Sequence, residues 1–273
     1  MKIKIGLAGA AGRMGRAIVK AISEQEDMQL VLALDVNSVG SDAGEVAGIG
    51  RISVSINPPD KLGLLLERTG AEVFVDFTSP KAAVKNAVTA ADKGVKLVIG
   101  TTGLKKEDLR DIESAVKKNK VSAVISPNMA TGVNLFFKLV RDAAKGLGSE
   151  YDVEIIEVHH RHKKDAPSGT ALHAGALIAR EIGSDLDKVG VFGRKGLVGE
   201  RHADEIGVHA VRAGDVVGDH TVLFAGQGER IEITHRAHSR DAFVNGVIKA
   251  IRFIAVKKGD GKVYSTWDVL GIR

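Results

Sequence analysis

Apolar runs alternate with amphipathic stretches through the first half of the chain. Residues 2–8 form a run suited to a strand, followed by a glycine turn, Gly9-Ala10-Ala11-Gly12-Arg13-Met14-Gly15. The spacing of Ile18, Val19 and Ile22 then predicts a helix to about Glu24. Residues 30–34 predict a second strand ending at Asp35, whereas 36–50 are glycine-rich without a period and predict a loop. A short strand is expected over 52–56, and Pro58-Pro59-Asp60 opens a helix to about Arg68. Residues 73–77 are apolar except for Asp76, as in a strand covered on both faces. Asp76 itself reads as a hydrogen-bonded carboxylate near the strand end rather than a catalytic one. Thr78-Ser79-Pro80 offers a hydroxyl cap and a proline at the first helical position, and Gly94 stops that helix. A strand over 95–99, a helix over 106–118 and a strand over 121–125 continue the alternation. Strand, turn and helix repeating in this way predict an α/β domain with a Rossmann-type parallel sheet.

Beyond Met129 the pattern changes. Residues 131–147 predict a long helix, 152–158 a strand and 170–182 another helix. From Glu205 the chain reads as hairpins, with strands over 206–212, 220–225 and 230–237 and glycine turns between them. They predict an antiparallel sheet in a separate α+β domain. Residues 239–256 return to helical spacing, with Phe243, Val247, Ile248, Ile251 and Ile254 on one stripe. That helix is expected to pack on the first domain, giving a discontinuous domain of 1–129 plus 240–273 around a second domain of 130–239.

Composition narrows the function classes. With 273 residues, 44% hydrophobic and 27% charged, the chain has the balance of a soluble globular protein. It contains no cysteine, which excludes disulfides and thiolate metal sites. The start lacks a secretory h-region and no apolar run nears the roughly 18 residues of a membrane span, so no membrane association and a cytoplasmic location are expected. The net charge of +5 suits either nucleic acid or a small acidic ligand. Basic residues are spread along the whole chain and aromatics are 4%, so stacking platforms are few and nucleic acid is not the expected partner.

In a doubly wound sheet the carboxyl ends of the strands share one ligand-binding edge. Four loops fall there: residues 9–15, Thr78-Ser79, residues 100–103 and residues 126–129. The first supplies glycines and a helix N-terminus for a pyrophosphate, although Ala10 stands where the strict fingerprint has glycine. Asp35, 20 residues after Gly15, is placed for ribose hydroxyls. Val36 and Asn37 follow it where an NADP-preferring site often carries Arg or Lys. A dinucleotide site preferring NADH is therefore expected, with NADPH possible.

The densest chemistry lies at His159-His160-Arg161-His162-Lys163-Lys164, between an apolar run and Pro167-Ser168-Gly169-Thr170, which opens a helix. Imidazoles and a mobile ammonium beside a helix N-terminus suit proton transfer next to an anionic substrate. A solvated basic loop remains the plainer alternative. Neighbouring strand residues face opposite ways and no cysteine is present, so no metal site is expected among the three histidines.

Together, Gly9-x-x-Gly12-Arg13-Met14-Gly15, Gly100-Thr101-Thr102-Gly103 and Glu157-x-His159-His160-x-x-Lys163-x-Asp165-Ala-Pro-Ser168-Gly169-Thr170 resemble the 4-hydroxy-tetrahydrodipicolinate (dihydrodipicolinate) reductase family. Residues 212–220 and 229–235 match it too, so the resemblance spans nearly the whole chain. It implies a Rossmann domain, a second domain with an open mixed sheet, and a homotetramer. It implies NAD(P)H-dependent reduction of a cyclic dicarboxylate to tetrahydrodipicolinate, in the diaminopimelate route to lysine. By position, His159 would be the general acid/base and Lys163 a proton donor, with His160, Ser168, Gly169 and Thr170 holding substrate. The cofactor would be held by Gly9, Ala10, Ala11, Gly12, Arg13 and Met14, by Asp35, by Gly100, Thr101 and Thr102, and by Ser126, Pro127, Asn128 and Met129. Many members carry Glu-Arg at the ribose site where this chain has Asp35-Val36, in keeping with NAD. Arg161, His162 and Lys164 are read as solvent-facing. Another NAD(P)-dependent dehydrogenase of the same plan, or a non-catalytic nucleotide or nucleic-acid binder, stays as an alternative.

Overall fold

The computed structural model describes residues 2–272. The chain divides into two compact units, Met1–Thr131 with Arg240–Arg273, and Gly132–Ser239.

The first unit begins with β1 (Ile3–Ala8), α1 (Arg13–Ser23), β2 (Met28–Leu34), the short α2 (Ala43–Ala47) and β3 (Ile56–Asn57). It continues through α3 (Leu62–Thr69), β4 (Val73–Asp76), α4 (Pro80–Asp92), β5 (Lys96–Ile99), α5 (Lys106–Lys118) and β6 (Ala123–Ile125). Helix α5 matches its predicted bounds, and α4 ends just before Gly94. Two local readings need correction. Residues 36–50 are not all loop, because Asp42 caps α2 by accepting the N–H groups of Gly44 (2.9 Å) and Glu45 (3.3 Å). The same carboxylate accepts Ile52 N–H at 3.0 Å and Val54 N–H at 3.1 Å. Those amides are then lost to any ladder, which is why the strand expected over 52–56 shrinks to β3. The cap at α4 also differs, since Ser79 makes no side-chain cap bond and Thr78 Oγ1 turns instead to Asp76 Oδ1 at 2.7 Å.

The second unit holds α6 (Thr131–Leu147, its first residue in the first unit), β7 (Asp152–His159), α7 (Gly169–Glu181), α8 (Leu186–Val189), β8 (Gly190–Phe192), β9 (Ile206–Arg212), β10 (Gly218–Gly226) and β11 (Glu229–Ala237). Its sheet runs β11-β10-β7-β9-β8. Strands β10 and β11 form the expected hairpin, but β9 and β10 do not. Strand β7 lies between them, antiparallel to β10 and parallel to β9. A parallel partner needs a long crossover, which α7 and α8 provide. The sheet is thus mixed, as the family resemblance implied, and only the antiparallel reading from the hairpin spacing is corrected.

Strand β7 alternates strictly, with Val153, Ile155, Glu157 and His159 on the buried face. Two polar residues therefore occupy positions where the period of a strand calls for apolar ones.

The chain then returns to the first unit as α9 (Asp241–Ala255), β12 (Val263–Tyr264) and α10 (Thr266–Leu270). The completed sheet has the order β12-β6-β5-β4-β1-β2-β3, and every pairing in it is parallel. Both faces are covered. Ile18, Val19 and Ile22 of α1 pack with Val247, Ile251 and Ile254 of α9 on one face, and Phe74, Ala83, Ala87, Ile112 and Val116 pack on the other. Each large aliphatic side chain so buried stabilises the unit by about 1.5–3 kcal/mol. Among the described residues, no helix is long and apolar enough to cross a membrane.

Candidate active site

The first unit gathers its loops at the carboxyl edge of the parallel sheet. Gly9 leaves β1 with φ +83°, and a Cβ there would sit 2.3 Å from the Phe77 carbonyl oxygen. The position that must be left-handed is therefore Gly9, and Ala10 is accommodated, buried, beside it. A Cβ on Gly15 would lie 1.9 Å from the Gly9 carbonyl oxygen, so this glycine lets α1 close onto the turn. The expected acid is tied to the same turn. Asp35 Oδ2 accepts Ala11 N–H at 2.9 Å, and Oδ1 accepts Asn37 N–H at 2.9 Å.

Asp76, 1% exposed at the end of β4, organises the next two loops. Its Oδ1 accepts the hydroxyls of Thr78 and Thr101 at 2.7 Å each and Thr78 N–H at 3.1 Å, and Asn86 Nδ2 donates to Oδ2 at 2.8 Å. Every partner is neutral. Ser126 N–H bonds to Ile99 O at 3.0 Å, and Ser126 Oγ closes on Asn128 O at 2.8 Å.

These loops wall a cleft of about 460 Å³. Gly12, Arg13, Met14, Gly100, Thr101, Thr102, Ser126, Pro127 and Met129, all among the residues expected to hold a cofactor, line it. Gly9, Ala10, Ala11, Asp35 and Asn128, expected in the same site, are not among its lining residues. Thr78, from a loop expected on this edge, also lines it, as do Phe77, Arg240 and Phe243, which were not picked out. The last two belong to the start of α9, and only the prediction that this helix packs on the first domain pointed their way.

The second unit builds its chemistry on the buried face of its sheet. His159, 8% exposed at the end of β7, has Nδ1 at 2.5 Å from Glu157 Oε2. Glu157 is fully buried and also accepts Arg212 NH1 at 2.8 Å on Oε2, Arg212 NH2 at 2.9 Å on Oε1, and Ser168 N–H at 3.0 Å on Oε1. Burial raises the Glu157 carboxyl, but the bonds from Arg212, His159 and Ser168 outweigh it and hold the group below its ordinary value. Burial lowers His159, and Glu157 only partly offsets this. His220 on β10 packs edge-on to His159 with centroids 5.1 Å apart, and its Nε2 meets Ser168 Oγ at 2.9 Å. Burial, with His159 beside it, pushes His220 down to about 3.

The remaining predicted residues lie in the turn after β7 and at the start of α7. Lys163 pairs with Asp165 at 2.9 Å and is partly exposed. His160 is half-buried, and its Nδ1 has no hydrogen-bond partner among the described residues. Ser168 differs from the other expected substrate contacts. It is 2% exposed, its N–H goes to Glu157, and its Oγ accepts Ala171 N–H at 3.1 Å besides meeting His220. Leu172 N–H bonds to Ser168 O at 3.0 Å. The uncommitted donors of the first turn of α7 are thus the N–H groups of Gly169 and Thr170. A Cβ on Gly169 would meet no heavy atom within 4 Å, so that donor is open to close approach. Among the described residues no group of three or more His, Asp and Glu could hold a metal ion.

The chain is similar to known proteins over its full length. The family described as "Dihydrodipicolinate reductase, N-terminus" matches residues 3–129, and "Dihydrodipicolinate reductase, C-terminus" matches residues 132–270. A 4-hydroxy-tetrahydrodipicolinate reductase of Methanocaldococcus jannaschii is 56% identical, over 99% of this chain and 98% of that one. The enzyme of the same name from Methanothermobacter thermautotrophicus is 52% identical, over 99% of this chain and all of that one. Among solved structures, the dipicolinate-bound dihydrodipicolinate reductase from Paenisporosarcina sp. TG-14 superposes with a TM-score of 0.76 at 26% identity, covering 98% and 99% of the two chains.

Proposed function

The chain belongs to the dihydrodipicolinate reductase family, an oxidoreductase family of the diaminopimelate route to lysine, and from that premise we propose how its two units divide the reduction of 4-hydroxy-tetrahydrodipicolinate. The Rossmann-type unit takes a nicotinamide cofactor. The residues present fit one, because Gly9 and Gly15, where a Cβ would strike a backbone carbonyl oxygen, let the turn close tightly onto the start of α1, whose N-terminus suits a pyrophosphate. The open N–H groups at the start of α1 hold the phosphates, Asp35 accepts ribose hydroxyls, and the loops at Gly100 to Thr102 and Ser126 to Met129 form the wall beyond. When bound, the reduced nicotinamide supplies a hydride. NADH is the preferred form, since Asp35 repels a 2′-phosphate and the exposed Val36 beside it carries no cation to offset that charge.

The second unit binds the dicarboxylate and handles the proton. Gly169 and Thr170 N–H groups at the N-terminus of α7 receive one carboxylate, helped by the helix dipole. Lys163 exchanges its contact with Asp165 for the substrate anion, and His160 contacts the substrate from the same turn. Ser168 stands behind this cradle as its cap. His159, with Lys163 beside it as proton donor, protonates the ring carbon that becomes carbanion-like when the hydride adds. The observation that carries this reading is the pairing of buried His159 with ionised Glu157 next to the start of α7, where the Gly169 and Thr170 N–H groups remain open. A homotetramer assembled through the exposed face of the mixed sheet and a cytoplasmic location complete the proposal.

The test is NADH oxidation by the purified chain on freshly generated 4-hydroxy-tetrahydrodipicolinate, with dipicolinate as inhibitor. Rapid oxidation, competed by dipicolinate, is expected. Oxidation that dipicolinate leaves untouched, or none at all, would remove the dicarboxylate assignment.

A further inference from the structure

Two positions before His159 on β7, Glu157 faces the same covered side and is fully buried. A carboxylate withdrawn from water is tolerated only when both oxygens are paired. Arg212 meets both oxygens, Ser168 N–H adds a second donor to Oε1, and His159 Nδ1 completes Oε2. An ionised carboxylate can only accept, so the proton of the neutral His159 ring lies on Nδ1 and the lone pair on Nε2.

We propose that Glu157 is a positioning residue for the reduction, holding His159 in the Nδ1–H tautomer so that Nε2 carries the transferred proton, while Arg212 and Ser168 N–H keep Glu157 fixed and ionised. The inference rests on the reading of His159 as the acid/base. Two features distinguish it from an ordinary buried ion pair. Arg212 alone would neutralise Glu157, yet the carboxylate also reaches the acid/base on one side and the residue before Gly169 on the other. One group thereby sets the distance between proton donor and anion cradle. On β10, Gly218 leaves room at the opposite ring nitrogen, where a Cβ would come within 3.0 Å of His159 Nε2.

The charges around His159 give the proposal a direction. Glu157 on its own strand favours the imidazolium, and Lys163 in the following turn and Arg212 on β9 oppose it. His220 on β10 packs against the ring, and Asp165 is engaged with Lys163. Removing the Glu157 charge leaves burial and two cations, all of which disfavour the protonated ring.

The test compares the full-length protein with Glu157→Gln, using the NADH-oxidation assay across pH together with nitrogen-15 NMR of histidine. In the parent, the His159 signals, identified by their absence in His159→Gln, should report an Nδ1–H ring. In Glu157→Gln, kcat should fall by about a hundredfold, the scale of acid/base catalysis, with KM changed by less than about threefold. The alkaline limb of the kcat profile should move to lower pH, and the single tautomer should be lost. Glu157→Asp, which keeps the charge, should return the limb toward the parent position. If Glu157→Gln does not fold because Arg212 is left unpaired, the double variant with Arg212→Met carries the same measurements. An unmoved alkaline limb and unchanged tautomer, or a change confined to KM, would overturn the proposal. An inactive His159→Gln beside a fully active Glu157→Gln would overturn it while leaving the acid/base reading intact. Near-full turnover of His159→Gln would remove both.

Discussion

Asp76 and Glu157 are both buried carboxylates at or near the ends of strands, and each ties neighbouring segments together. Their partners differ in kind. Asp76 is held by two threonine hydroxyls, a backbone N–H and an asparagine amide, all neutral dipoles. Glu157 is held by a guanidinium and an imidazole besides one backbone N–H. Neutral dipoles can fix where a loop lies, as the cofactor wall requires. A charged set does that too, but it also biases the protonation of its histidine, which hydride and proton addition require. On the proposed reading, the same side chain chemistry serves shape in one unit and proton affinity in the other.

The most demanding way to break this comparison is the same conservative change at both positions. Asp76→Asn can be absorbed, because Asn86 can turn its amide to present oxygen instead of nitrogen, and NADH affinity should fall by less than about tenfold, or 1.4 kcal/mol. Glu157→Gln cannot be absorbed that way and should cost about a hundredfold in kcat. Equal effects at the two sites, read by NADH titration and steady-state rates, would erase the distinction. Gly15→Ala tests the shape side alone. Its Cβ would press on the Gly9 carbonyl, and overpacking of that kind costs about 1–3 kcal/mol, visible as a lower melting temperature and weaker NADH binding.

The pH dependence of stability tests the charge side. His220 titrates at about 3 in the fold against 6.5 as an ordinary histidine. Between those values the unfolded chain binds the extra proton, so stability falls as pH drops from 6.5 toward 3, by at most about 1.4 kcal/mol per pH unit from this group. Glu157 adds loss only at lower pH, because its stabilisation is full above the ordinary value of 4.5 and disappears as the pH falls through its lowered one. Urea unfolding at pH 7, 6 and 5 should show the first slope, and His220→Gln should reduce it, the remainder coming from His159, His173 and His235, which burial lowers in the same direction. The smallest expected effect concerns the cofactor. NADH should be favoured over NADPH by about tenfold in kcat/KM, roughly 1.4 kcal/mol, and Asp35→Ser should narrow that ratio.

Much of this was legible in the residues. The parallel sheet showed itself because strands covered on both faces leave continuous apolar runs, and glycine punctuation marked most helix ends. Residues 52–56 misled because the competing acceptor, Asp42, acts across ten positions and leaves no periodic trace. Strands β9 and β10 misled for a similar reason. A glycine turn between apolar runs reads as a hairpin, while the strand that separates the two lies some 50 residues earlier. At the candidate site, the grouping of His159, Lys163 and the start of α7 was readable because they lie close in sequence. The charge set was not, since Arg212 reaches Glu157 across 55 residues and His220 reaches Ser168 across 52. Its one local mark was the strand's alternation, with Glu157 and His159 in step with Val153 and Ile155 on the covered face.

The central claim is that cofactor binding belongs to one unit and proton handling to the other. Titration of NADH into His159→Gln, set beside its turnover in the reductase assay, tests this most directly. A Kd within about twofold of the parent, with kcat reduced by about two orders of magnitude or more, is the predicted result. Loss of NADH binding in parallel with turnover, or near-full turnover with binding intact, would contradict it.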